Sequence, residues 1–262
     1  MQNIYKIAFK YFFSIRGKNI VNIITLISTT GVLFGTMAMI IVLSVFNGFD
    51  EIIKNLYRDV DHDFKLELKD GGNFKINEQI IDKINSIDGI ISYSEVLDHK
   101  MLGQYLDNQL VLNVKGVDNN YFAGNMLINN LITDSIIASQ FFNNKNPNYV
   151  LCGIGVFNLL ELKLLDFNNP LKISFFQEMN TLNIDNILKT NSFYLTGVYE
   201  THTDFDHTSV LLNIASLRDI LSTPQVCSSI EISIDKTTNS RSIEQQLSHY
   251  FSSEFIVKNR FN

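Results

Sequence analysis

Asn19-Ile-Val-Asn-Ile-Ile-Thr-Leu-Ile-Ser-Thr-Thr-Gly-Val-Leu-Phe-Gly-Thr-Met-Ala-Met-Ile-Ile-Val-Leu-Ser-Val-Phe-Asn-Gly48 is the stretch whose reading decides the fold. No charged residue occurs between Lys18 and Asp50. A helix that crosses a hydrocarbon core of about 30 Å needs about 20 mostly apolar residues, and this run is longer than that. In lipid the backbone has to satisfy its own hydrogen bonds, so a helix is expected despite the glycines Gly31, Gly35 and Gly48 and many β-branched residues. A cleaved signal peptide would have an apolar core of about 7–15 residues ending in a small-x-small site. The run is much longer, and no clean cleavage motif follows Phe46. A buried helix of a soluble protein rarely goes so far without a charge. We therefore expect an uncleaved span over residues 19–48.

The flanks orient the span. Lys6, Lys10, Arg16 and Lys18 precede it with no acid among them, whereas Asp50, Glu51, Asp59, Asp61 and Asp63 follow, diluted only by Lys54 and Arg58. The excess of Lys and Arg on one side puts the N-terminus in the cytoplasm and residues 49–262 outside the inner face of the membrane. In residues 1–18, Ile4, Ile7, Ala8, Tyr11 and Phe12 recur at helical spacing with Lys6 and Lys10 on another side, which suits a cytoplasmic interfacial helix. Inside the span Gly31 and Gly35 form a small-xxx-small pair, preceded by Ser28 and Thr29. Such a face lets a second helix approach closely, so a partner helix is expected there. Ile52, Ile53, Leu56 and Val60 keep the helical period, predicting a stalk over residues 49–61.

The part outside is acidic. Setting aside the four basic residues before the span leaves 17 of the 21 Lys and Arg against all 27 Asp and Glu. That balance argues against nucleic acid, whose binding is driven by Lys and Arg on phosphate. Cys152 and Cys227 could pair outside the cytoplasm or stay as small buried thiols, and spacing leaves both open.

The pattern beyond the stalk is α+β. Phe64–Leu68 alternates as a strand, Asn77 caps a helix with Ile80, Ile81, Ile84 and Ile87 inward, and Ile90–Val96 is a strand. The C-terminal end repeats that order: a strand over Ile230–Ile234 with Glu231 and Ser233 on its other side, a helix capped by Ser240 with Ile243, Leu247 and Tyr250 inward, and a strand over Glu254–Lys258. Two βαβ-like units, at 62–97 and 228–262, suggest a split βαβ sheet of ferredoxin-like type. Between them, residues 98–227 read as a β-rich insertion. Met101–Leu106 and Leu110–Val117 flank a hairpin turn at Asp107-Asn108. Phe141–Asn148 is a polar loop, Tyr149–Gly153 a strand and Val156–Leu162 a short helix. Leu171–Phe176, Ser192–Tyr199 and Ser209–Leu212 are strands, and Asn213 caps a helix over Ile214–Leu221. Gln177–Asn191 carries Met179, Leu182, Ile184, Ile187 and Leu188, too many apolar residues for a solvated loop. It is a core helix, which the pattern alone favours, or a projecting hairpin whose apolar side meets a partner.

Chemistry-bearing clusters are sparse. His202-Thr-Asp204-Phe-Asp206-His207 contains metal-ligand residue types, but alternating residues splay to opposite faces, and a polar loop is the better reading. Gly153-Ile-Gly155 lacks the later Gly and the Lys-Ser/Thr of a phosphate loop. His62, His99 and His249 are isolated in sequence, and no catalytic constellation or cofactor site stands out.

Several strings carry a resemblance. Ile7–Ser14, Asn22–Ser28, Gly31–Gly35 and above all Leu43-Ser-Val-Phe-Asn-Gly-Phe49 resemble the start of the lipoprotein-releasing ABC transporter permeases of the Lol C/E type, within the wider MacB/FtsX-like superfamily. Val114–Asp118, Gly197–Glu200 with Asp204–Asp206, and Val257–Arg260 resemble the outer domain of that family. The resemblance implies a MacB-type periplasmic core and a non-enzymatic permease subunit in the inner membrane. It also implies a cytoplasmic ABC ATPase subunit, a second permease subunit, lipoprotein cargo and a periplasmic lipoprotein carrier as partners. Gln177–Asn191 falls where carrier-docking members have a projecting hook, although the prolines common there are missing. Such permeases have three further spans, so the resemblance implies that this chain is a fragment. Two other readings compete: a superfamily permease serving efflux by mechanotransmission or division signalling, and a membrane-anchored extracytoplasmic binding module.

Overall fold

The computed structural model describes residues 4–7, 10, 20–58, 62–124, 127–133, 141, 148–176, 188–235 and 237–259. It falls into two units, Met1–Ile53 and Lys54–Asn262.

In the first, residues 4–7 and 10 are helical, and helix α1 starts at Ile20 and runs unbroken to Arg58. Its stretch Ile23–Ile53, 31 residues, is long and apolar enough to cross a membrane. Every side chain of that stretch is exposed. At 1.5 Å rise per residue it reaches about 46 Å, well beyond a core of about 30 Å. Its hydroxyls are satisfied locally: Thr29 Oγ1 donates to Thr25 O (2.8 Å), Thr30 Oγ1 to Leu26 O (2.7 Å) and Thr36 Oγ1 to Val32 O (3.0 Å).

The second unit contains, in order, β1 (Phe64–Leu68), β2 (Phe74–Lys75), α2 (Glu78–Asn85), β3 (Ile90–Tyr105), β4 (Asn108–Val117), α3 (Tyr121–Gly124), a 3-10 turn (Leu127–Asn130), β5 (Tyr149–Gly153), α4 (Ile154–Leu160), β6 (Leu171–Phe176), β7 (Leu188–Tyr199), α5 (Phe205–Thr208), β8 (Ser209–Asn213), α6 (Ile214–Leu221), β9 (Val226–Cys227), β10 (Ser229–Ile234), α7 (Ser240–Phe251) and β11 (Phe255–Asn259). The main sheet has the order β11-β1-β10-β3-β4-β8-β5-β7-β6, and β6 pairs again with β3. The strands from β3 to β6 therefore close on themselves, which removes two sheet edges. Strands β2 and β9 form a separate ladder.

In the open part β1 is antiparallel to β10 and β11, and β10 is antiparallel to β3. The strands of two β-helix-β halves, β1-α2-β3 and β10-α7-β11, thus alternate in space. Both helices lie over one face. Asn77 Oδ1 accepts from Ile80 N (2.9 Å) to start α2, and Ile84 and Ile87 are buried. Asn239 Oδ1 accepts from Arg241 N (3.1 Å) to start α7, whose Ile243, Leu247 and Phe251 are buried at four-residue intervals. They pack with Phe64, Leu66, Ile230 and Ile232 of the sheet. The closed part has its own core, with Leu97, Leu112, Val150, Val210 and Phe193 inside. A third cluster, on the opposite side of β3 and β4, joins Val96, Val117, Tyr121 and Tyr199.

Several expectations shift. The segments read as Ile90–Val96 and Met101–Leu106 are one strand, β3, which serves both parts of the sheet. The hairpin turn is Leu106–Asp107 rather than Asp107–Asn108, because Tyr105 pairs with Asn108; Leu106 takes a positive φ of 51°. Asn239, not Ser240, caps α7, and α4 covers Ile154–Leu160 instead of Val156–Leu162. All residues of β10 are buried, Glu231 and Ser233 included. In the segment Gln177–Asn191, residues 188–191 belong to β7, with Leu188 opposite Phe176 and Asn191 opposite Ile173, so a helix does not extend there. Met179, Leu182, Ile184 and Ile187 lie outside the described residues. Cys152 and Cys227 are both buried free thiols.

Candidate functional site

Four residues after α1 ends at Arg58, the chain reaches His62, whose side chain is almost entirely buried. It enters a cluster of charges on the sheet face away from α2 and α7. The strand registers assemble this cluster: Lys65 of β1 lies opposite Glu231 of β10, and Asp98 of β3 lies opposite Lys115 of β4. Glu231 Oε1 receives Lys115 Nζ at 2.8 Å, and Glu231 Oε2 meets His62 Nδ1 at 2.8 Å. The other ring nitrogen, His62 Nε2, is 3.0 Å from the carbonyl oxygen of Tyr121. The Tyr121 ring closes the cluster, with its centroid 4.7 Å from that of His62 and 4.9 Å from Lys115 Nζ.

Tyr121 is itself held in place. Asp118 Oδ1 accepts from Tyr121 N (3.0 Å) and from Ser94 Oγ (2.6 Å), which fixes the start of α3 against β3. Burial by itself would push the Glu231 carboxyl up. Lys115 above all, then His62 and Lys65, hold it well below the usual carboxylate range instead. Burial likewise opposes the charge on Lys115, but Glu231, Tyr121 and Asp98 keep its ammonium well above the ordinary value. A lysine held protonated is no nucleophile, and the cluster binds charges to one another rather than offering a reactive group.

Beside it an open cleft of about 460 Å³ is lined by Lys65, Asp98, Lys100, Asn113, Lys115 and Phe205 among others. On the far side of β3, Arg218 Nη2 pairs with Glu95 Oε2 at 2.6 Å and Nε donates to Val226 O at 2.8 Å, tying α6 to β3.

The other sequence candidates fall apart from this cluster. Asp206 does not face outward toward a metal. Its buried carboxylate accepts from Thr201 N, Thr201 Oγ1 (2.7 Å) and His202 N (2.8 Å), which ties the 201–206 loop together. Among the described residues no group of three His, Cys, Asp or Glu could hold a metal ion. Gly153 and Gly155 serve packing: a Cβ on Gly153 would lie 2.3 Å from Asp206 O, and one on Gly155 2.7 Å from His207 Cα. Gly31 and Gly35 are different, since a Cβ on either meets nothing within 4 Å. Neither glycine is required by the packing of this chain.

No family model and no curated protein matches the chain. Among solved structures, it is similar to the periplasmic region of MacB from Actinobacillus actinomycetemcomitans, with 13% identity and a TM-score of 0.49 over 78% of this chain and 91% of that one. It is also similar to the extracellular domain of the ABC-type transporter YknZ from Gram-positive bacteria, with 12% identity and a TM-score of 0.44 over 75% of this chain and 99% of that one. At such identities these likenesses assign neither substrate nor partner to this chain.

Proposed function

We propose that the chain is a permease subunit of an ABC transporter that extracts lipoproteins from the inner membrane and passes them to a periplasmic carrier. The observation that carries the reading is α1, whose stretch Ile23–Ile53 is exposed throughout and uncharged up to Asp50. It carries the open Gly31–Gly35 face and the Leu43–Phe49 string that resembles these permeases. In this reading residues 1–18 lie in the cytoplasmic interface, 19–48 span the membrane and 49–61 form a stalk. Residues 62–97 and 228–262 form a ferredoxin-like porter-type part, and 98–227 its inserted β-rich part, a MacB-type core in the periplasm. ATP hydrolysis resides on a cytoplasmic partner subunit, and a second permease subunit packs on the span. The unbroken course of α1 from Ile20 to Arg58 favours, as a second reading, mechanotransmission for efflux or division signalling, because a continuous helix carries displacement along its axis. Purification of the detergent complex separates the two. An ATPase subunit with bound lipoprotein supports the first, an outer-membrane channel or a cell-wall hydrolase supports the second, and absence of any ATPase leaves a membrane-anchored binding module.

Two variants probe the parts. Gly31→Leu with Gly35→Leu fills an open face without a clash inside the chain, so folding is expected to be unchanged while recovery of the assembled complex on size exclusion drops several-fold. Full recovery removes the helix-contact assignment. Replacing Ile184, Ile187 and Leu188 by Ser is expected to weaken carrier capture at least tenfold with Tm unchanged. A lowered Tm instead places these residues in the core.

A further inference from the structure

The open cleft beside the buried charges is lined by three lysines and one acid, in a chain whose formal net charge is −6. Strand pairing builds its floor. Asp98 and Lys100 of β3 lie opposite Lys115 and Asn113 of β4, so these four side chains share one sheet face. Lys65 of β1 lines the cleft as well, and Phe205 of α5 supplies an aromatic wall. The acids beside these lysines are already engaged. Glu231 Oε1 holds Lys115 Nζ at 2.8 Å, Glu67 is shared by Lys65 and Lys258, and Asp98 lies 3.7 Å from Lys65 Nζ. Lys65, Lys100, Lys115 and Lys258 therefore face Glu67, Asp98 and Glu231, four cations against three anions. Lys100 is exposed, makes no ion pair among the described residues, and is the surplus charge. Asn113 gives one amide hydrogen to Thr208 Oγ1 at 3.0 Å and keeps a second for another acceptor.

We propose that this cleft binds a phosphodiester, the anionic group of phospholipid headgroups and of water-soluble glycerophosphodiesters. The charge fits. A diester carries one negative charge, which matches the single surplus ammonium, whereas a phosphomonoester near neutral pH carries about −1.5 to −2. The donors fit too. The free oxygens of a diester only accept, and Lys100, Lys65 and Asn113 present N–H groups from two sides of the floor. Lys115 adds its field from below while staying bound to Glu231. The size decides between a bare ion and a substituted one. A cleft of about 460 Å³ falls among small-molecule sites, which run from about 300 to 1,000 Å³, so it has room for organic arms beside the charge. A diester has two such arms, and Phe205 offers one of them an apolar surface. A carboxylate has the same charge but a single arm, and it fills less of the space. The proposal rests on the cleft alone and holds for any cargo.

The test uses the full chain in an uncharged maltoside detergent, free of phosphate buffer, with phosphorus NMR line widths read on the ligand. Three probes are titrated: glycerophosphoglycerol, a short-chain phosphatidylglycerol and inorganic phosphate. Both diesters are expected to bind severalfold more tightly than inorganic phosphate. Lys100→Gln is expected to weaken them about tenfold, the weight of one charge-assisted hydrogen bond. Lys100 is exposed, so that change leaves the fold intact. Lys163→Gln removes the same charge from an exposed position outside the cleft and is expected to leave binding unchanged. Tighter binding of the lipid than of the soluble diester supports the site with a headgroup as its ligand, and equal binding supports it with a soluble diester. Binding of neither diester overturns the proposal. So does an equal loss in the two lysine variants, which is the mark of diffuse surface charge. Inorganic phosphate binding as tightly as the diesters overturns it as well and leaves an adventitious ion only.

Discussion

Glu231→Leu is expected to cost about 3–5 kcal/mol, the usual cost of removing one partner from a buried ion pair. The loss arises from what stays behind. Lys115 and His62 are buried around the carboxylate, and both would lose the oxygen they face at 2.8 Å. For a domain of this size, at about 2–4 °C per kcal/mol, the fall in Tm is roughly 6–20 °C. Lys115→Met in the same chain is expected to restore a good part of it, since replacing both members of a buried pair by apolar groups of similar volume is often neutral. A double variant as unstable as the single one would show that the pair does not act as a unit. The wild-type protein has a matching acid limb. The Glu231 carboxyl is lowered in the folded state, so its contribution is complete above the ordinary value of 4.5 and is lost as pH falls below it toward the depressed folded value. Glu231→Leu is expected to flatten that part of the stability profile.

Asp206→Ala has the second large effect. The carboxylate accepts from two backbone N–H groups and one hydroxyl within the 201–206 loop. Buried donors left without an acceptor cost about 1–3 kcal/mol each, so a loss of about 3 kcal/mol or more is expected in thermal or denaturant unfolding. The damage should spread to α4, because the backbone of Asp206 lies against Gly153 and Gly155 too closely for any Cβ. Asp206→Asn keeps an acceptor oxygen and is expected to recover roughly half. An Asp206→Ala protein with wild-type Tm would mean that the loop is held by its flanking strands alone.

Local patterns carried the elements well and the buried polar groups badly. Alternating apolar residues located β1, β6 and β10, and the four-residue spacing of Ile243 and Leu247 located α7. Asn239 and Ser240 are both good caps standing side by side, and only the backbone geometry chooses between them. The turn was drawn to Asp107-Asn108 by residue type, whereas strand pairing sets it one residue earlier, where a leucine takes a backbone conformation that leucine disfavours. Glu231 shows the deeper difficulty. Alternation marks it as a solvent-facing residue, but the second face of β10 is covered by His62 and Tyr121. Its partners lie more than a hundred residues away along the chain, and no window of sequence contains both. For the same reason His62 looked isolated. The Gly153–Gly155 pair lacks the rest of a phosphate loop, and its spacing serves a close backbone approach, which phosphate loops also need.

The register of β1 has a consequence for biosynthesis. Its described ladder partners, β10 and β11, include Asn259 opposite Phe64, so this strand waits for strands that are made much later. Closing so long a loop is slow, while β3 to β8 can pair among themselves beforehand. A nascent chain halted before Ser229 would expose both borders of β1, a surface that invites aggregation, and quality-control proteases would meet the molecule in that state.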